Sequence, residues 1–321
     1  MYNYLFILIF IIIIHKFWKK FTLLKNHLSK NLININLKNL KILSWNIFLR
    51  SYGFISFYHN DFKNCRLKQI INYLKNYHIV FLQEAFITAN FRIHYLLDQL
   101  YQYGFKYWVI PNNSSLFSLK FMDSGLIIIS KIPLSNANEI IFNNGNNIDY
   151  YASKSFQTCD ILINNKKIKL INTHCNANYQ LFDDKYTWDI KKTQYKQIGD
   201  YLKNNNINNF ILGGDFNCNY YHHHNYNIML KLLNLKSYHN KIKNKITTKI
   251  YYYLDNFKEF NTYFYKYPKE NNIILVPLTI DYFFTNFNNC YTNIKKFKSK
   301  SLPVKYLSDH YAIELNILFN K

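Results

Sequence analysis

Short apolar runs that end in polar residues recur from Ile42 almost to the C-terminus, and they constrain the fold more than any other feature of the sequence. They are Ile42 to Ile47, Ile79 to Leu82, Gly125 to Ser130, Ile168 to Asn172, Phe210 to Leu212, Ile280 to Phe284 and Ala312 to Phe319. Apolar runs of this length, bounded by polar residues, are typical of buried strands. We therefore predict a strand at each of these positions.

Helical periodicity appears between some of the predicted strands. Apolar residues share one helical face in three segments: Leu67, Ile70, Ile71 and Leu74; Ile93, Leu96, Leu97 and Leu100; and Tyr195, Ile198 and Leu202. A chain of 321 residues that is 49% apolar can bury a large core. We predict an α/β fold built of layers, with two packed sheets and helices outside them.

The N-terminal segment differs from the rest of the chain. Tyr4 to Ile14 is unbroken apolar, and Lys16, Lys19 and Lys20 follow closely. A bilayer span needs about 20 apolar residues, and the neighbouring aromatic residues extend the segment at the interface. A signal peptide usually has an N-terminal positive charge and a small-residue cleavage site, and neither is seen here. We expect a membrane anchor, with a signal peptide or a buried helix as alternatives.

Three regions follow from this. Residues 1–21 form the predicted anchor or signal-like segment, residues 22–39 a Lys- and Asn-rich tether, and residues 40–321 the folded domain. Because basic residues flank the anchor, the positive-inside rule favours a membrane-associated chain whose domain is cytosolic.

Charge and cysteine content exclude some classes of protein. The formal net charge of +22 suits a polyanionic partner, but the lysines are scattered and no long basic run interleaves with aromatic residues. Nucleic acid is therefore the less favoured partner. The five cysteines have no CxxC spacing, so neither a disulfide framework nor a structural zinc site is indicated.

Polar motifs lie at the ends of the predicted strands, where an open sheet presents its active site. They are Ser44-Trp45-Asn46, Leu82-Gln83-Glu84, Asn172-Thr173-His174, Gly213-Gly214-Asp215-Phe216-Asn217, Thr279-Ile280-Asp281-Tyr282 and Ser308-Asp309-His310. Each motif alone is more often a turn or a helix cap than a catalytic group. Their repeated position at strand ends favours a shared site.

Several of these residue types suit metal and phosphate chemistry. A carboxylate at Glu84 and an amide oxygen at Asn46 are ligands that a hard cation such as Mg²⁺ prefers. Asp215 and Asn217 alternate onto the same side of an extended segment and can reach one phosphate together.

The last two motifs suit proton transfer. Asp281 can hold the imidazole of His310 in the tautomer that a general acid or base needs, while Asp309 contributes to the metal site. Cys175, beside His174, is more often a small buried residue than a nucleophile. Three adjacent imidazoles, His222 to His224, cannot all face one ion, so we predict a loop there.

In this order, the sequences LSWNI, LQEAF, INTHCNA, LGGDFNCN, TIDYFF and LSDHYAI resemble the endonuclease/exonuclease/phosphatase superfamily, which has the DNase I-like fold. The resemblance covers Leu40 to Phe319. It implies a four-layered α/β sandwich and the attack of water on a phosphate ester, assisted by Mg²⁺ or alternatively Mn²⁺.

The resemblance also implies a metal-binding role for three residues. Glu84 would be the principal ligand, supported by Asn46 and Asp309.

Five other residues would act on the phosphate and the water. His174 and Asn217 would hold phosphate oxygens. Asp215 would orient or deprotonate the attacking water, and Asp281 with His310 would form the acid/base pair.

A narrower resemblance is to the neutral sphingomyelinases, through the segment from Asp123 to Leu134 and the residues around Asp149 and Lys154. In that family an Asp and a Lys five residues apart couple the site to membrane lipid, and Asp149 and Lys154 have this spacing. The alternative is an exposed loop ion pair of little consequence. Ser155 replaces the usual Gly, which makes the geometry of this loop a departure from the family pattern.

This narrower resemblance implies hydrolysis of sphingomyelin, a membrane phospholipid, to ceramide and phosphocholine. Tyr150, Tyr151 and Tyr179 are candidates for binding the choline group over their rings. A nuclease of the AP endonuclease or DNase type and an inactive, membrane-tethered binding protein are the alternative functions.

Overall fold

The computed structural model describes residues 24–51, 62–88, 90–112, 120, 122–146, 148–178, 185–242, 245–253, 259–260 and 273–319. The predicted anchor, residues 1–21, lies outside them. None of the helices in these ranges is both long and apolar enough to cross a bilayer.

The described chain consists mainly of strands, with α-helices between some of them. The strands are β1 Asn34–Ile35, β2 Asn39–Leu49, β3 Ile79–Ala85, β4 Tyr107–Val109, β5 Ile127–Ser130, β6 Ser135–Ile141, β7 Ser155–Ile163, β8 Lys166–His174, β9 Phe210–Asp215, β10 Thr248–Tyr253, β11 Glu259–Phe260, β12 Ile273–Leu278, β13 Asp281–Thr285, β14 Cys290–Lys295 and β15 Ala312–Leu318. The α-helices are α1 Lys63–Leu74, α2 Arg92–Gln102, α3 Ile148–Tyr151, α4 Lys185–Asn204 and α5 His223–Leu232.

Two six-stranded sheets form the centre of the fold. The first sheet has the order β14-β15-β2-β3-β5-β4, and the second has the order β1-β7-β8-β9-β13, with β6 paired to β7. Two central pairs, β2 with β3 and β8 with β9, are parallel. A small third sheet has the order β11-β10-β12.

Three apolar cores separate four layers. Between the sheets, residues such as Ile42 and Phe81 of the first sheet belong to one core with Leu170 and Ile211 of the second. The opposite face of the first sheet packs on α1 and α2, and that of the second packs on α4 and α5. The fold is therefore the predicted four-layered α/β sandwich.

Burial on both faces explains the continuous apolar runs. On β2, Ile42 faces the core between the sheets, while Leu43 and Trp45 face the helices. A strand covered on both sides has no polar face, so its sequence does not alternate.

All of the predicted strands and the three predicted helices are present, with shifts at their ends. The strand predicted from Gly125 begins at Ile127. The loop predicted at His222 to His224 is wrong in part, because α5 begins at His223. Tyr226, Met229 and Leu230 on this helix bury one face against the second sheet, and that packing extends the helix back into the histidines.

The described part of the predicted tether lies along the domain. The backbones of His27 and Trp108 pair, the amide of Ser29 donates to the carbonyl of Leu134, and β1 pairs with β7. Residues 24–38 thus take part in the fold, because their backbone groups and their few apolar side chains find partners on it.

Candidate active site

A β-bulge brings the first polar motifs together. Asn46 on β2 lies opposite Gln83 on β3, but the next register pair is Leu49 with Ala85, so β2 carries one extra residue at this point. Glu84 lies opposite the bulge with a φ of 54°, a conformation uncommon outside glycine. There the amide nitrogen of Asn46 donates to Oε1 of Glu84 over 3.1 Å.

A hydrogen bond from the neighbouring Ser308 holds the segment of Asp309 next to Asn46. The hydroxyl of Ser308 donates to the backbone carbonyl of Asn46 over 2.6 Å. Burial and the nearby carboxylate of Asp309 raise the pKa of Glu84, whereas the positive charge of Arg50 opposes this rise. The half-buried carboxylate of Glu84 and the buried one of Asp309 repel each other, and a cation between them would remove that repulsion.

Glu84, Asn46 and Asp309 carry oxygen atoms of the kind that a hard divalent cation prefers. Two carboxylates and one amide leave further positions for water and phosphate, as Mg²⁺ usually does in proteins. Asn46 points its nitrogen at Glu84, whereas an amide binds a cation through oxygen. In this arrangement the oxygen of the Asn46 side chain accepts the backbone amide of Phe48 over 3.2 Å.

The second half of the site is centred on Asp215, at the end of β9. His174 on β8 and Asp281 on β13 are its register partners on either side. The preceding Gly214 has a φ of 142°, and a Cβ there would lie 2.0 Å from the carbonyl oxygen of Thr173. Glycine is required because the backbones of β8 and β9 approach so closely.

Asp281 and His310 are in contact. Nδ1 of His310 lies 2.9 Å from Oδ2 of Asp281, and its Nε2 lies 3.7 Å from Oδ2 of Asp215. Burial disfavours the charged imidazole, but Asp281 and Asp215 outweigh it and hold the pKa of His310 well above its ordinary value. The pair can hold a proton at Nε2, facing Asp215.

Donor atoms of Asp215, Asp281 and His310 all lie within 4.8 Å of one another, close enough to hold a cation. However, Nδ1 of His310 is already engaged by Asp281. This contact orients the imidazole for proton transfer, as it would for a histidine that binds a cation through Nε2.

Asp215 joins the two halves. The amide nitrogen of Asn46 donates to its Oδ2 over 3.3 Å, and the backbone amide of Asn217 donates to its Oδ1 over 3.0 Å. Burial and the charge of Asp281 raise the pKa of Asp215 to about 7. The side-chain nitrogen of Asn217 donates to the carbonyl of Cys175 over 3.1 Å.

Lys154 links Asp149 to His174. Nζ of Lys154 lies 3.3 Å from Oδ1 of Asp149 and 2.9 Å from Nε2 of His174. Because an ammonium only donates, Nε2 of His174 is the acceptor and Nδ1 carries its proton. Burial and the charge of Lys154 lower the pKa of His174 well below its ordinary value.

The interpretation of Asp149 and Lys154 as an exposed ion pair is wrong, because both side chains are buried. Asp149 also accepts the backbone amide of Ala177 over 2.7 Å, which ties α3 to the segment after His174. Cys175 is fully buried, and burial raises the pKa of its thiol to about 12. It is a core residue, as expected.

Sequence comparison bears on this arrangement of residues. The pattern of the Endonuclease/Exonuclease/phosphatase family matches residues 43–310. The chain belongs to this family. It is 30% identical over 213 residues to a Sphingomyelinase C of Listeria ivanovii, an alignment that covers 62% of each chain and thus less than two thirds of that relative.

Solved structures show the same endonuclease/exonuclease/phosphatase fold. A beta toxin from Staphylococcus aureus matches with a TM-score of 0.68 at 23% identity, covering 88% of this chain and 100% of the toxin. A double mutant of that toxin with bound magnesium ions matches with a TM-score of 0.63 at 22% identity, covering 87% of this chain and 99% of the mutant.

Gln83 and Asn172 join the two sheets beneath the site. Both residues belong to the sequence motifs, but the sequence analysis predicted no role for either of them. Nε2 of Gln83 donates to Oδ1 of Asn172 over 2.8 Å, and Nδ2 of Asn172 donates to the carbonyl of Leu82 over 3.0 Å. The sequence signal that could have found them is an amide side chain inside a buried strand, since such a group needs a hydrogen-bond partner.

The sequence analysis also predicted no role for three basic residues near the site. Arg50, just after β2, stacks 4.1 Å over the ring of Phe48, and its Nε and Nη2 are buried without a hydrogen-bond partner. Arg66 and Lys191 lie on the buried faces of α1 and α4. A basic residue on the apolar face of a helix was the sequence signal for these two.

Proposed function

We propose that the chain is a Mg²⁺-dependent phosphodiesterase that hydrolyses sphingomyelin to ceramide and phosphocholine. The observation that carries this proposal is that Glu84 and His310, from the first sheet and the segment before β15, meet Asp215 of the second sheet. The amide of Asn46 joins Glu84 to Asp215. A cation-binding group and a proton-transfer group at one point suit the attack of water on phosphorus.

The cation would be held by Glu84, Asn46 and Asp309. When bound, it neutralises negative charge on the phosphate and favours the attacking form of water. A magnesium-bound neighbour of the same fold is consistent with Mg²⁺, and Mn²⁺ is the alternative cation.

The residues around Asp215 would carry out the remaining steps. Asp215 orients the water and accepts its proton as the water oxygen bonds to phosphorus. The bond from phosphorus to the ceramide oxygen breaks, and Nε2 of His310 gives that oxygen a proton, while Asp281 holds the imidazole in place. Asn217 and the Lys154–His174 pair bind phosphate oxygens, because they place donors where negative charge increases.

Sphingomyelin is favoured over other phosphate esters by two observations. The 30% identity is to a Sphingomyelinase C. Asp149, which pairs with Lys154, lies on α3 next to Tyr150 and Tyr151, which are 46% and 48% exposed. Exposed rings on the turn that carries this ion pair can bind a choline group or a lipid surface. Tyr179 lies outside the described residues.

Membrane association is a further part of the proposal. It is supported by the apolar N-terminal segment and its basic flank, which by the positive-inside rule favour a membrane-associated chain with the domain on the cytosolic side. An enzyme anchored beside its lipid substrate gains effective concentration.

The test uses the full-length chain with Mg²⁺ and measures headgroup release from sphingomyelin vesicles, phosphatidylcholine vesicles and lysophosphatidylcholine. Duplex and abasic DNA are assayed in parallel, since the net charge of +22 favours the nuclease alternative. We expect phosphocholine from sphingomyelin and none with His310→Ala. DNA cleavage with inert lipid would instead make the chain a nuclease, and inactivity on every ester would favour the inactive binding protein.

A further inference from the structure

Two buried basic side chains, one from each outer helix layer, contact the segments that carry the site residues. Arg66 on α1 and Lys191 on α4 are both fully buried. Neither belongs to the groups placed above in metal binding or proton transfer. Each one donates to backbone carbonyls of the segments that carry those groups.

Arg66 holds the segments of the cation-binding half. Its Nη1 donates to the carbonyl of Ile47 over 2.9 Å and to that of Leu307 over 2.8 Å, and its Nη2 donates to the carbonyl of Phe48 over 2.6 Å. Ile47 and Phe48 form the bulge directly after Asn46, and Leu307 lies two residues before Asp309 and three before His310. One guanidinium therefore binds both segments that supply ligands beside Glu84.

Lys191 holds the segment of the other half. Its Nζ donates to the carbonyl of Asn217 over 2.8 Å and to the side chain of Asn178. One helical turn further along α4, the hydroxyl of Tyr195 donates to the carbonyl of Phe216 over 2.8 Å. Two successive carbonyls after Asp215 are thus held from the same helix.

Both cations bind the carbonyl of a residue in a left-handed conformation. Phe48 has a φ of 50° and accepts from Arg66, while Asn217 has a φ of 50° and accepts from Lys191. Phe48 keeps such a conformation only where its surroundings determine it, whereas asparagine adopts it more easily. A buried charge in turn needs several dipoles to compensate its lost hydration. Each cation and its loop therefore stabilise one geometry together.

We propose that Arg66 and Lys191 are positioning residues with separate tasks. Arg66 sets the geometry of the cation site, and Lys191 sets the segment of Asp215 and Asn217 that orients water and phosphate. This assignment rests on the proposed function of the site. Because the two cations act on different sheets, their removal has different consequences.

The experiment compares Arg66→Met and Lys191→Met in the full-length chain, with Lys68→Met and Lys196→Met as controls at exposed positions of the same helices. Two quantities are measured: the Mg²⁺ concentration that gives half of the thermal stabilisation by Mg²⁺, without substrate, and kcat at saturating Mg²⁺. Arg66→Lys and Lys191→Arg keep the charge and are measured in the same way, so that a Met variant that fails to fold still leaves a test.

We expect Arg66→Met to raise the half-stabilising Mg²⁺ concentration about tenfold or more. We expect Lys191→Met to leave this concentration unchanged and to lower kcat about tenfold or more. The charge-keeping variants should show the same split with smaller changes. Equal changes of both quantities in the two variants, or changes no larger than those of the exposed controls, would overturn the proposal.

The Mg²⁺ titration keeps this proposal separate from the proposed function. If the wild-type chain hydrolyses none of the esters but Arg66→Met still weakens Mg²⁺ stabilisation, the phosphodiesterase proposal fails and the role of Arg66 stands. If the wild-type chain is active and Arg66→Met leaves the titration unchanged, the positioning proposal fails alone.

Discussion

Asn46 and Asp215 lie on different sheets, yet the amide nitrogen of Asn46 donates to Oδ2 of Asp215 over 3.3 Å. The same nitrogen donates to Glu84 on the strand next to its own. This shared donor links Glu84 to Asp215, and so links the proposed cation-binding half of the site to the proposed proton-transfer half. The site therefore depends on how the two sheets are held against each other, as well as on the residues that line it.

Changing Asp281 to Asn should lower kcat about 100-fold or more while the fold is kept. Asn retains the shape of Asp281 but removes the charge that favours a proton on His310, 2.9 Å away. Headgroup release from sphingomyelin vesicles and the thermal unfolding midpoint measure the two effects. Asp189→Asn, at an exposed position of α4, is the control. Activity close to that of the control would remove Asp281 from the acid/base role.

Removing divalent cations should abolish activity, and adding Mg²⁺ should restore it and raise the unfolding temperature, because a ligand of the folded state stabilises it. Glu84→Gln should eliminate this rise. Without Mg²⁺ the same variant should unfold at a higher temperature than the wild type, since it ends the repulsion between Glu84 and Asp309 and removes a half-buried charge. Scanning calorimetry with EDTA and then with Mg²⁺ measures both effects. A Mg²⁺ shift retained in Glu84→Gln would contradict the assigned ligand.

Much of the sheet framework follows from the sequence because a strand buried on both faces reads as an apolar run. The sequence did not predict the strands β6 and β7, because neither of them reads as an apolar run. Although β7 is buried, it contains Gln157, Thr158 and Asp160, each with a partner that only the tertiary fold supplies. Local patterns do not distinguish such residues from those of a surface loop.

The chemical groups of the site could be placed at strand ends from the sequence, but their supports could not. Nothing in the local sequence indicates that the Asp149–Lys154 pair is buried against His174. Lys154 directly precedes β7 and His174 ends β8, so the two residues meet only when these strands pair. Arg66 and Lys191 interrupt apolar helical faces, and their partners are backbone carbonyls, which carry no sequence signal.

Gln83→Leu should lower the free energy of unfolding by about 2 kcal/mol, because it leaves the buried Oδ1 of Asn172 without its donor. Urea unfolding measures the loss, and Asn72→Leu on the exposed face of α1 is the control. The double variant Gln83→Leu/Asn172→Leu should lose less than the sum of the single variants, since the two amides share one bond. Additive losses would mean that the amides do not act together.

Glu314 should make stability depend on acid pH. Burial would raise the pKa of this carboxyl, but hydrogen bonds from Asn293 and Asn316 and the charges of Lys41 and Lys295 lower it to about 2, below its ordinary value of 4.5. Its contribution is complete above the unfolded pKa and is lost as the pH falls from 4.5 toward 2.

Because the two lysines are partly exposed, we expect a contribution of about 2 kcal/mol at neutral pH, less than the full shift would give. Urea unfolding of Glu314→Gln against the wild type at a series of pH values measures it. The difference should be largest at neutral pH and should shrink in acid. A difference that stays constant with pH would mean that the charge of Glu314 does not stabilise the fold.

Lys154 and the tyrosines of α3 should differ in which substrates they affect. Lys154→Met removes the donor that lies 2.9 Å from His174, so kcat should fall about 100-fold on sphingomyelin vesicles and on a soluble short-chain analogue alike. Tyr150→Ala with Tyr151→Ala removes only exposed rings, so activity should fall on vesicles and be kept on the soluble analogue. Lys154→Arg keeps the charge and should recover part of the loss. If Lys154→Met impaired vesicle hydrolysis alone, this residue would serve lipid coupling rather than phosphate binding.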